Sequence, residues 1–218
     1  MWFDPGRLGH AATVLSSTPD PAWHRCPSKS SMARVRRPFA AVAATEREVA
    51  APRPGDDLVP KADVVMDRGF DAPAPPHEVW PWLVQLGKQR GGWYFPRAVE
   101  RFVPRSRRAA RSVQPQWQGL RVGDRIPDYG GPDEYFEAVE VDPPRSLVYR
   151  SERGRMQLSW AITLTSAATS TGTGTRVHLR LRLGPVRRVW LAETFGELVD
   201  AVTIAGMAAG LRERLTRG

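Results

Sequence analysis

The chain has 218 residues, room for one good domain with a tail or for two small domains. Hydrophobic residues make up 41% and charged residues 25%, an ordinary globular balance, and the single cysteine, Cys26, excludes an internal disulfide and a cysteine-based metal site. The formal net charge is +9, carried almost entirely by arginine, since Lys29, Lys61 and Lys88 are the only lysines.

Residues 1–44 show neither a helical nor a strand period, and Pro5, Pro19, Pro21, Pro27 and Pro38 punctuate them. Such a segment buries too little apolar surface to offset its chain entropy, so a disordered N-terminal tail is expected ahead of a domain spanning 45–218. MWFDPGRLGH lacks a basic leader followed by an apolar stretch, so no secretory signal is expected, and Met32 offers an alternative translation start. A short helix is expected at 44–50, before the turn-rich PRPGDD at 52–57.

From Lys61 the patterning sharpens. Val64, Met66 and Phe70 alternate with polar neighbours and predict a first strand, which Pro73, Pro75 and Pro76 end. A helix can start with Pro76 near its first position and Glu78 in its first turn, and Pro81 should kink it by removing a backbone donor. The stretch VWPWLVQLGKQRGGWY at 79–94 holds three of the eight tryptophans and predicts a core wall or a pocket wall. Gln85, alone on an apolar helix, either presents its amide to a ligand or bonds the backbone that Pro81 frees. Trp93 and Tyr94 follow Gly91-Gly92, a flexible approach, and form either an aromatic gate or a packed corner. A second short helix is expected at 96–102.

Arg97, Arg101, Arg105, Arg107, Arg108 and Arg111 then form a basic run. It could meet phosphates or an anionic membrane, or be plain solvated surface; no nucleic-acid motif accompanies it, and a nucleic-acid partner is not expected. Strands are predicted at 121–127, 135–141, 147–152, 156–165 and 175–183. In the fourth of these, Met156, Leu158, Trp160, Ile162 and Leu164 share one face. In the fifth, Val177, Leu179, Leu181 and Leu183 oppose Arg176, His178, Arg180 and Arg182. Alternation of this kind predicts antiparallel strands with one covered and one wet face. TSAATSTGTGT between them reads as a long hairpin loop, and Asp124 as a turn residue bonding backbone amides.

Pro185 is expected to open a long helix ending near Leu215, with Leu191, Phe195, Leu198, Val202, Ala205 and Ala209 forming the stripe against the sheet. Gly206 and Gly210 in that helix either permit close backbone approach or leave space for a ligand. The longest apolar run, 201–211, is well short of the roughly 18 residues a membrane span needs. The four histidines, His10, His24, His77 and His178, are scattered, so no metal and no cofactor is expected. No nucleophile elbow, P-loop or dinucleotide fingerprint is present. The fold expectation is α+β: a curved antiparallel sheet of six or seven strands around a long C-terminal helix, with two short helices after the first strand.

That order of elements, with VWPWLVQLG, RGGWY, VGDRIP and the PGDDLVP lead-in at 54–60, resembles the SRPBCC or START-like superfamily of helix-grip proteins over about residues 45–215. The resemblance implies a deep, mostly apolar cavity between sheet and C-terminal helix. Members bind lipids, polyketides, plant hormones or other hydrophobic molecules; some resemble aromatase/cyclases and others activators of the Hsp90 ATPase. Fold analogy alone does not choose among these activities. The candidate lining is Trp82, Gln85, Trp93, Tyr94, Phe136, Tyr149, Trp160, Phe195 and Val202. Tyr129, Glu134, Tyr135 and Tyr149 are the plausible acid–base groups near the sheet, and none forms a reactive constellation. The leading expectation is a cytoplasmic binder of a small hydrophobic molecule without catalysis of its own. The alternatives are a cyclase- or dehydratase-like enzyme on a polyketide-type substrate and an interaction module using the arginine-rich surface.

Overall fold

The computed structural model of the chain describes residues 39–169, 172–186 and 196–216. The chain divides into two units, Met1–Arg36 and Arg37–Gly218, and the description concerns the second. The tail expected over 1–44 therefore lies, up to residue 38, outside the described residues.

Six antiparallel strands form one curved sheet: β1 (Val64–Ala72), β2 (Arg125–Pro127), β3 (Tyr135–Asp142), β4 (Ser146–Arg153), β5 (Met156–Thr169) and β6 (Gly172–Gly184). Their order across the sheet is β1-β6-β5-β4-β3-β2, so β1 crosses over to pair with β6 while the other neighbours are sequential. Two short helices, α2 (Pro76–Val84) and α3 (Arg97–Glu100), follow β1, and the long helix α4 (Glu197–Leu215) lies on the concave face. This is the helix-grip arrangement the element order predicts. A small helix, α1 (Glu46–Ala50), precedes β1 and is closed by a capping box between Thr45 and Glu48.

Two expectations are corrected by the structure. The threonine-rich stretch between β5 and β6 is not a long loop, because the strands stay paired from Gln157↔Gly184 to Thr169↔Gly172. Threonine's branched Cβ suits a pleated strand, and that preference outweighs the turn signal of the intervening glycines. Pro185 and Val186 are not themselves helical, the Val186 amide being held by the Asp63 carboxylate at 2.6 Å, and residues 187–195, over which the expected helix would run, lie outside the described residues.

The second correction concerns the face of β6 that its arginines predict to be wet. His178 and Arg180 are 3% and 4% exposed, because residues 43–60 cross this face as a strap. Arg176 donates to Glu48 and to the Ala43 carbonyl. Arg180 donates to the carbonyls of Glu48, Val49 and Ala51 and to the carboxylates of Asp56 and Asp67. Arg182 reaches the carbonyls of Val59 and Pro60. Guanidinium groups carry five donors each, so a ladder of three can fasten a segment that has few apolar side chains of its own.

On the concave side the described apolar residues form two clusters. The larger joins α2, α4 and the middle of the sheet through Phe70, Leu83, Ile162, Met207 and Leu211. The smaller holds Val64, Met66, Leu158 and Leu183 at one end of β1, β5 and β6.

Candidate functional site

The site is the gap between those two clusters. A cleft of about 540 Å³ has Met66, Met156, Leu158, Leu181 and Leu183 of the smaller cluster on one side and Trp93, Phe136, Trp160 and Ile204 of the larger on the other. Strand alternation aims these side chains at one another, and α4 contributes Val199, Asp200 and Thr203 as the roof. An apolar cleft with a few polar groups is the usual form of a small-molecule site.

Four aromatic rings build the inner wall. Trp93 and Trp160 stack at 6.1 Å, Tyr149 stacks on Trp160 at 5.8 Å, and Phe136 packs against Trp160 at 5.8 Å. Behind them a narrow extension of about 40 Å³ runs between Leu86, Ile126, Phe136 and Tyr149. The Trp93 indole N–H donates to the Thr203 carbonyl at 3.2 Å, tying the wall to α4. Trp93 also borders a third cavity of about 480 Å³, which opens beside Val103, Arg107 and Tyr129.

Polar groups stand at the margin of the cleft. Arg153 pairs with Asp128 and lies 3.4 Å from Glu134, with its guanidinium 5.6 Å from the centre of the Phe136 ring. Asp200 meets Arg68 at 2.9 Å, out of line for a hydrogen bond, and its Oδ2 has no hydrogen-bond partner among the described residues. Burial pushes the Asp200 carboxyl up against the opposing pull of Arg68. Burial likewise pushes the Tyr149 phenol up, so it is neutral at physiological pH. Its hydroxyl makes no hydrogen bond among the described residues, and the residue lines the narrow 40 Å³ pocket.

The candidate residues divide sharply. Trp93, Phe136, Tyr149 and Trp160 come together in the aromatic wall. Trp82, Gln85 and Tyr94 do not reach the cleft. Trp82 packs edge-on against Tyr94 at 5.7 Å, and the Tyr94 hydroxyl donates to the Trp82 carbonyl at 2.7 Å. Arg214 covers the Tyr94 ring at 4.6 Å, so Tyr94 is a packed corner. Gln85 is fully buried, donates to the Ser112 carbonyl and accepts from the Gln114 amide and from Gln118. Its amide fastens the 112–118 loop, and the residue lines none of the three cavities that Trp93 borders. Neither does it bond the His77 carbonyl, the backbone group that Pro81 leaves without its helical donor.

The approach at Gly91-Gly92 is not flexible. Gly87 and Gly92 exchange two backbone hydrogen bonds, and Gly92 at φ +77° brings its Cα so close to Ala109 that a Cβ would sit 2.9 Å from it. Val202 is half exposed and absent from the cleft lining, because α4 turns Ala201, Ile204, Ala208 and Leu211 inward instead. The stripe expected through Leu198 and Val202 is off by about one residue. Phe195 and Leu191 lie outside the described residues.

Sequence reasoning missed Asp128, Arg153 and Asp200. An acid one turn inside an apolar helix is the signal that could have pointed to Asp200. Asp124 behaves as predicted, accepting from the Arg121 amide at 2.8 Å. Among the described residues no group of three or more His, Cys, Asp or Glu could hold a metal ion, and no helix is long and apolar enough to cross a membrane.

No family model and no curated protein matches the chain. Among solved structures it is similar to MLL2253 from Mesorhizobium loti at 19% identity, covering 71% of this chain and 98% of that one, with a TM-score of 0.41. CalU16 from Micromonospora echinospora matches at 16% identity, 70% and 83% coverage and a TM-score of 0.40. DynU16, a putative protein in the dynemicin biosynthetic locus, matches at 19% identity over 71% of this chain and 48% of its own, with a TM-score of 0.43. At such values the fold rests on the strand order and on α4 themselves.

Proposed function

We propose that the protein binds one small hydrophobic molecule in the cleft between the sheet and α4, as a member of the SRPBCC/START-like group, in the cytoplasm and without catalysing a reaction. The observation that carries the reading is the 540 Å³ gap between two apolar clusters, walled by Trp93, Phe136 and Trp160. An open, mostly apolar cleft of this size with a few polar groups at its margin suits a small hydrophobic ligand. No nucleophile–base pair faces the cleft among its described lining residues, which supports binding over chemistry.

The test is displacement of an environment-sensitive naphthalene dye by a panel of apolar compounds, read together with native mass spectrometry. The expected result is saturable binding at one site. Trp160→Ala should weaken it at least tenfold, about 1.4 kcal/mol, through lost stacking and contact area. Failure of every apolar probe to bind folded protein would overturn the reading.

A second reading, a cyclase- or dehydratase-like enzyme, is favoured by one observation: Tyr149, whose hydroxyl makes no hydrogen bond among the described residues, belongs to the same aromatic wall. Under that reading Tyr149→Phe keeps ligand affinity and removes turnover of a polyketide-type substrate. Under the first reading it only alters affinity.

A further inference from the structure

Residues 97–111 carry six arginines against one carboxylate, Glu100. That carboxylate is turned inward, 2.7 Å from Arg214 and paired with Arg111, so its charge is spent inside the molecule. Arg97 and Arg111 face Glu213, each at 3.5 Å. Arg108 folds back onto the carbonyls of Val103 and Arg101. Arg101, Arg105 and Arg107 are exposed and have no carboxylate partner among the described residues. In their midst Phe102 is 77% exposed, with the Arg101 guanidinium 4.5 Å from its ring centre, and Val99, three residues earlier on the same side of the turn, is 46% exposed. The same segment borders the 480 Å³ cavity through Val103, Arg107 and Arg108, with Trp93 on the opposite wall.

We infer that this surface docks on an anionic lipid bilayer, with Phe102 as the apolar anchor and Arg101, Arg105 and Arg107 against the lipid phosphates. The interface of such a bilayer offers apolar and anionic surroundings within a few ångströms, which is the combination these side chains present. A duplex nucleic acid would satisfy the arginines and leave Phe102 and Val99 in water. Docking does not depend on whether the cleft holds a ligand, so it can fail or hold independently of the proposed function.

The experiment is sedimentation of the full chain with vesicles of phosphatidylcholine alone or mixed with phosphatidylglycerol, at low and high salt. Expected is salt-sensitive pelleting with phosphatidylglycerol only. Each arginine near an anionic surface contributes about fivefold in partitioning, so Arg105→Glu with Arg107→Glu should lower it by at least about 25-fold. Phe102→Ser should lower it severalfold while leaving the salt dependence in place. All three positions are exposed, and unchanged thermal melts would establish that the variants fold. Equal pelleting with both vesicle types, no pelleting with either, or phosphatidylglycerol binding untouched by Phe102→Ser overturns the inference. So does duplex DNA that displaces the vesicles in proportion to its concentration.

Discussion

A methyl group on Gly210 would come within 2.7 Å of backbone atoms of Tyr94 and Phe95, where neither partner can turn aside. Gly210→Ala gains about 1 kcal/mol of helix propensity and costs about 1–3 kcal/mol in overpacking, so a net loss is expected in urea unfolding. The sequence left open whether this glycine admits backbone or ligand; only the three-dimensional approach of residues 94–95 decides for backbone. Arg180 is the other residue with a large expected effect. Burial alone would push its partner Asp67 up, yet His178 at 3.0 Å and the hydrogen bond from Arg180 outweigh this and hold the carboxyl below its usual range. Arg180→Ala leaves that carboxylate buried beside His178 at 3.0 Å, and a loss of about 3–5 kcal/mol is expected in the same measurement. Single-residue roles were the least legible level. Gln85 and Tyr94 stand in the same aromatic stretch as Trp93, and nothing in their spacing says that two face inward to hold loops while the third faces a void.

At the scale of elements, the strap over β6 is fastened by charge, and its stability should therefore follow pH. The hydrogen bond from Arg176 leads in holding Glu48 well below its ordinary 4.5, at about 2, with burial opposing and Thr45 assisting. A carboxylate depressed in the folded state stabilises fully above its unfolded pKa and loses that contribution as pH falls through the folded value. The urea midpoint should therefore drop between about pH 4.5 and pH 2, with faster amide exchange in α1, and Glu48→Gln should flatten that limb of the curve. An unchanged limb in the variant would mean that Glu48 does not hold the strap. Strands were the most legible elements, since period-2 alternation survives any context. Helix α4 was legible as a helix but not in its rotation, because Leu198 and Val202 are as apolar as Ala201 and Ile204. The arginines of β6 read as solvent-facing for a related reason: a strap that satisfies them with main-chain carbonyls leaves no apolar signal of its own.

For the whole molecule, dividing the concave apolar surface into two clusters leaves packing energy unclaimed until something fills the gap. A ligand at a hundred times its dissociation constant should add about 2.7 kcal/mol to unfolding stability, seen as a rise in melting temperature, and Trp160→Ala should reduce that rise at the same concentration. The overall architecture was readable because covering one face of an antiparallel sheet leaves few economical solutions. The cleft was not, because a filled and a hollow interior are written with the same leucines and methionines. Trp93 finally sets what such an interior can admit. One indole borders three cavities and is held by its N–H bond to Thr203 and by stacking on Trp160. Under the proposed function, the rotation of that one side chain rather than the sheet sets the size limit for a ligand. A graded series of alkyl compounds should meet a length limit in the native protein that disappears in Trp93→Ala.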